Sequence, residues 1–168
     1  MTNKEFFIQT WQSEMKPTLT AVNGLPADIT KLDYRGHAKA RSAHEIIGHM
    51  LSHAEALCDA VDTHLANEKT GKTFKSIPEA AAYFEKNANA LVEKLKTVDD
   101  KAWDGQIIEF QVNGHKIFDA PMGSMFWGFM FDIIHHRGQL STYYRHMGVR
   151  NPSIYGPSAE DMEAMAAK

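Results

Sequence analysis

Two stretches of this chain set metal-binding side chains on apolar faces. In Ile46-Ile47-Gly48-His49-Met50-Leu51-Ser52-His53 the two histidines are four apart, so on a helix they share one face with Ile46, Met50 and Leu57. In Phe129-Met130-Phe131-Asp132-Ile133-Ile134-His135-His136 the same spacing joins Asp132 to His136. A carboxylate in so apolar a run is costly to bury unless it is paired or holds a metal. Asp132 is therefore the most informative residue of the chain. His135 points about a third of a turn away from His136, so only His136 shares the face of Asp132.

With the two helices side by side, His49, Asp132 and His136 offer three N/O ligands around one point. Three protein ligands with an open position is the arrangement of a catalytic zinc-type site. Imidazole and carboxylate suit Zn or Ni first, with Fe or Mn also compatible. His53 and His135 are candidate proton acceptors beside it. Arg137 and Gln139 are either orienting partners of the ligands or parts of a structural salt bridge and a capped backbone. The plainer alternative is a buried polar network in which Asp132 pairs with Arg137, Arg145 or a protonated histidine.

These side chains need long helices to carry them. Phe6, Phe7, Trp11 and Leu19 give a first helix over about 3–23, with Pro17 placed to kink or divide it. The polar stretch 32–41 reads as a loop crossing the outside of the fold. Ser42-Ala43-His44-Glu45 has capping-box spacing and opens a second helix to about His64. Residues 66–74 read as a loop. Ser76-Ile77-Pro78-Glu79 opens a third helix to about Thr97. Residues 107–118, turning at Asn113-Gly114, read as a two-stranded hairpin. The last long helix is expected from about Pro121 to a glycine cap at Gly148, and Ser158 opens a short terminal one. The expected fold is all-α: a four-helix bundle with a small β-hairpin between helices 3 and 4, as one domain over 1–168. Bundles build metal and ligand sites from inward side chains on facing helices.

Composition narrows the function classes. The chain has 168 residues, 43% hydrophobic and 23% charged, with a net charge of −3. No long basic block is present, which argues against nucleic acid as a partner. No apolar run reaches bilayer length, and MTNKEFFIQTW does not read as a secretion signal. The lone Cys58 excludes an internal disulfide and fits a reducing, cytoplasmic setting; it reads as an inert, partly buried thiol. No phosphate-binding glycine loop, CxxC pair or GxSxG elbow occurs. Tyr143 and Tyr144 read as packing residues and Tyr155 as a surface anchor.

The string His135-His136-Arg137-Gly138-Gln139-Leu140-Ser141-Thr142-Tyr143, followed by Arg145 and Gly148, resembles the fourth helix of the DinB-like family. Leu32-Asp33-Tyr34-Arg35 looks like that family's crossing loop, His49 stands where its second helix carries a ligand, and Pro152 to Ser158 looks like the tail of one subgroup. The resemblance implies up-down-down-up topology, a homodimer and a divalent metal held by three histidines. It also implies a small-molecule substrate, since some relatives are S-transferases or isomerases using bacillithiol, mycothiol or glutathione. One position departs from the pattern: Asp132 replaces the first histidine of the last helix. Three functions follow as expectations: a metal-dependent thiol S-transferase, a metal-dependent hydrolase, or a non-catalytic stress-related scaffold.

Overall fold

The protein is described over residues 1–167 by a computed structural model. Its first helix, α1 (Asn3–Asn23), starts at a capping box between Thr2 and Glu5. Pro17 removes one backbone donor, but Phe7, Trp11, Thr18, Ala21 and Val22 bury one side on both flanks of the proline, and the helix runs through undivided. After a 3-10 turn at Ile29–Asp33, the loop to Arg41 leads to α2 (Ala43–Thr63). Here Ser42 and Glu45 cap each other as expected, and His64 closes the helix with a positive φ of 58°.

The sheet is larger than the expected hairpin. β2 (Ile107–Val112) and β3 (His115–Pro121) pair antiparallel around Asn113 and Gly114, both at positive φ. A third strand, β1 (Leu65–Glu68), pairs parallel to β2, so the order is β1-β2-β3. It falls in the stretch expected to be a loop. Four residues carry little local strand signal, and the pairing comes from a partner some forty positions away.

α3 (Ile77–Leu95) begins at Ser76 with proline in its first turn. A short helix, α4 (Asp100–Gly105), was not expected; Asp99 caps it, and it seats Trp103 against Phe7 and Phe126. α5 (Met122–Ser141) is shorter than the expected helix to Gly148. The hydroxyls of Ser141 and Thr142 bond back to the carbonyls of Gly138 and Gln139, and the Thr142 N–H turns to Gln139 three residues back. The chain then makes a 3-10 turn at Arg145–Met147, which Gly148 ends at a φ of 79°. α6 (Ala159–Ala166) follows Ser158 in a capping box with Asp161.

The four long helices form the body of the fold. α1 and α2 each pack on both α3 and α5, and the sheet lies along α2 and α5. Between them is an apolar core in which Phe7, Ile46, Leu51, Phe84, Leu91 and Phe126 are almost wholly buried. Among the described residues no helix is long and apolar enough to cross a membrane.

Candidate metal centre

α2 and α5 pack side by side, and each offers one helical turn to the other. α2 brings His49 and His53, α5 brings Asp132 and His136, and β1 brings Glu68 from the sheet. Oδ2 of Asp132 is the point of convergence. It lies 3.1 Å from His49 Nε2, 2.7 Å from His53 Nε2 and 3.2 Å from His136 Nε2. The three rings meet edge to face, with His49 centred 4.5 Å from His53 and 4.4 Å from His136.

The outer side of two rings is also held. His49 Nδ1 lies 2.6 Å from Glu68 Oε1, and His136 Nδ1 lies 2.8 Å from Gln139 Oε1. A carboxylate and an amide oxygen only accept, so both Nδ1 atoms carry their proton outward. In a neutral ring that leaves the Nε2 lone pair facing the lone pairs of Asp132. Such an arrangement needs a proton or a metal ion between the two atoms, and this is the donor set a divalent ion fits. His53 differs: its Nε2 bonds Asp132, and its buried Nδ1 has no partner among the described residues.

The charges follow the contacts. Burial works against protonating His49, but its bonds to Asp132 and Glu68 outweigh this and raise its pKa. Burial is the main influence on His53 and lowers its pKa, which favours the neutral ring. For Asp132 and Glu68 burial favours the neutral acid; bonds from the surrounding imidazoles reverse this and hold both below the usual carboxylate range, Asp132 far below.

Among the described residues two triads have ligand atoms within 4.8 Å of one another: His49 with Asp132 and His136, and His49 with His53 and Glu68. The first is the set read from helical spacing. Of the two candidate proton acceptors, His53 is inside the cluster, while His135 is exposed and its ring lies 2.9 Å from Gln139 Nε2. Glu68 was missed; a single acid in a four-residue strand gives no periodic signal. Arg137 does not orient the ligands. It is buried on the other side of α5, bonding Glu14 and Thr18 of α1 and the Tyr155 hydroxyl. Arg145 pairs with Glu160, so neither arginine is the partner of Asp132. Tyr144 is packed and donates to the Ala21 carbonyl, whereas Tyr143 donates to the carbonyl of Arg41 beside the site. Cys58 is buried, and burial pushes its thiol pKa up.

The cluster opens on two sides. Toward the sheet is an apolar chamber of about 370 Å³, walled by Phe110, Phe118, Met125 and Phe129 and floored by His49, His53 and Asp132. Toward the loop before α2 are two polar recesses of about 670 Å³ each, and both reach His49 and Arg41.

Comparison with known proteins bears on this arrangement. The DinB family model matches residues 1–167. YrdA of Bacillus subtilis (strain 168) is 24% identical over 165 residues, spanning 94% of this chain and 90% of its own. A DinB-like protein from Bacillus cereus ATCC 10987 superposes with a TM-score of 0.69 at 21% identity, over 90% of this chain and 97% of its own. The DinB-like YjoA of Bacillus subtilis gives 0.65 at 17% identity, over 89% and 97%. At these identities the two structures show the fold.

Proposed function

The chain belongs to the DinB family, and on that premise we propose that it binds one divalent metal ion through His49, Asp132 and His136 and uses it on a small-molecule substrate. The observation that carries this reading is the convergence of three imidazole Nε2 atoms on one carboxylate oxygen. Zn or Ni suits the donor set best. When bound, the ion would lower the pKa of a thiol or a water, making a nucleophile available near neutral pH.

The chain's own residues have distinct parts in this. Glu68 and Gln139 fix the tautomers of His49 and His136, so both Nε2 atoms point inward. His53, whose burial favours the neutral ring, would donate from Nε2 to Asp132 and hold the carboxylate in place. Phe110, Phe118, Met125 and Phe129 would exclude water from an electrophile in the chamber. The reaction class is nucleophilic transfer, with thiol S-transfer favoured over hydrolysis on family likeness.

The test is elemental analysis of protein purified without a metal-affinity tag, beside Asp132→Ala and His136→Ala. We expect about one ion per chain in the parent and little in either variant. Chelation should then lower the melting temperature of the parent, because an ion held at a hundredfold excess over its Kd adds about 2.7 kcal/mol to the native state. A parent that takes up no Zn, Ni or Mn on reloading, and melts the same in chelator, would sink the metal reading. The histidines and Asp132 would then be a buried polar network in a non-catalytic scaffold.

A further inference from the structure

Arg41 is the last residue of the loop before α2, and its placement is unusual for a cation. Its Nη1 lies 3.3 Å from Nε2 of His136, the atom that also faces Asp132. The loop is pinned there: Tyr143 donates to the Arg41 carbonyl at 3.2 Å, and Arg35 donates to the Ala40 carbonyl at 2.8 Å. Arg35 spends its own charge on Glu45, in a two-pronged pair at 2.7 and 3.0 Å. Arg41 has no carboxylate within 4.0 Å among the described residues. It is exposed, and its side chain lines both polar recesses.

The Arg41 guanidinium thus supplies positive charge to the inward lone pair of His136. A divalent ion among the same ligands repels it. A guanidinium displaced from His136 would turn into the recess, whose lining acids are Asp33 and the Glu45 that is committed to Arg35. Lys39 and Lys72 add positive charge to the same wall, and Lys72 is only loosely paired with Glu55 at 3.9 Å.

We infer that Arg41 is the substrate-recognition residue of the site, and that it receives a carboxylate of the molecule whose donor atom meets the metal. The inference rests on the metal reading above. A guanidinium offers a planar fork that matches a carboxylate. One unpaired guanidinium suits a monoanion better than a dianionic phosphate. The substrate class is therefore a small acid with a metal-binding group and a carboxylate, lying from the cluster out into the basic recess. The apolar chamber on the opposite side stays free for a second, uncharged reactant.

The experiment uses cobalt(II)-loaded protein, whose visible absorption reports the ligands around the ion. Two probes share a hydroxamate head: acetohydroxamate, which is neutral, and succinate monohydroxamate, which adds a carboxylate. The parent should bind the second at least roughly tenfold more tightly, as expected of a charge-assisted pair at a partly exposed site. Arg41→Ala should bind both probes equally while taking up cobalt as well as the parent or better. Arg41→Lys should keep part of the preference. Equal affinity for the two probes in the parent, or an unchanged preference in Arg41→Ala, overturns the inference. A parent that shows no cobalt spectrum before any probe is added overturns the metal reading and this inference with it.

Discussion

Gly48 decides how closely the loop that follows β1 can approach the histidine helix. It is buried in α2, next to His49. A Cβ built on it would lie 1.9 Å from the carbonyl oxygen of Lys72 and 3.0 Å from that carbonyl's carbon. Ordinary contact begins near 3.4 Å, so the obstacle is backbone and must move by well over an ångström. Alanine gains about 1 kcal/mol over glycine inside a helix. Forcing a packed segment aside costs about 1–3 kcal/mol, and the loosened backbone adds to that. Gly48→Ala should therefore be destabilised by about 1–2 kcal/mol, a fall in Tm of about 2–8 °C for a chain of this size. The matched control is Gly128→Ala in α5, where nothing lies within 4 Å of the new methyl. It should be stabilised by up to about 1 kcal/mol, melting about 2–4 °C higher. Both are read by circular dichroism melts in chelator. Lys72 follows Glu68 by four residues, so the same displacement should lengthen the Glu68–His49 bond and weaken metal uptake in Gly48→Ala alone. A Gly48→Ala protein that melts at or above the parent would refute the reasoning, because the segment would then yield at no cost.

Two further outcomes are expected. Glu14→Ala leaves Arg137, which is 1% exposed, without its carboxylate. Stranding a buried charge costs about 3 kcal/mol, which corresponds to a Tm about 6–12 °C lower; a shift within error would mean that Thr18, Tyr155 and the Glu14 carbonyl satisfy the guanidinium unaided. The second concerns pH in the presence of chelator. Asp132 and Glu68 are held low, so they contribute stability that is complete above the usual carboxylate range and is lost as pH falls through their folded values. His53, lowered by burial, acts in the same direction from about pH 6.5 downward, while the raised His49 contributes stability that is lost as pH rises through its folded value. Denaturant midpoints should therefore decline on acidification, and Asp132→Asn should flatten the part below about pH 5. An identical acid limb in parent and variant would remove Asp132 from the account.

The residues that were legible in the sequence are those whose signals are local. Ser42 with Glu45, Ser76 ahead of Pro78, and Ser158 with Asp161 each mark a helix start within four positions, and each stands where it was expected. Asn113-Gly114 turns the hairpin for the same reason. The spacing of Asp132 and His136, one turn apart in an apolar run, put them on one helix face, and the structure sets that face beside His49. What escaped depends on distant partners. β1 is a strand only because β2 is there to pair with it, so Glu68 was hidden with it. α4 is six residues long and too short for periodicity to reveal. Gly148 does stop a helical segment, but that segment is a separate 3-10 turn, because the hydroxyls of Ser141 and Thr142 had already ended α5.

The contact between His49 and Asp132 joins residues 83 positions apart, and between them run β1, α3, α4, β2 and β3. In polymer terms it closes a ring holding about half the chain, and the closing link is one nitrogen–oxygen contact beside two others. A permanent link across such a ring removes about 4.5 kcal/mol of freedom from the unfolded chain in the simplest entropy treatment. The same few atoms that define a centre for chemistry therefore also stand where one coordinated ion would act as a clasp, tying α2 to the last long helix.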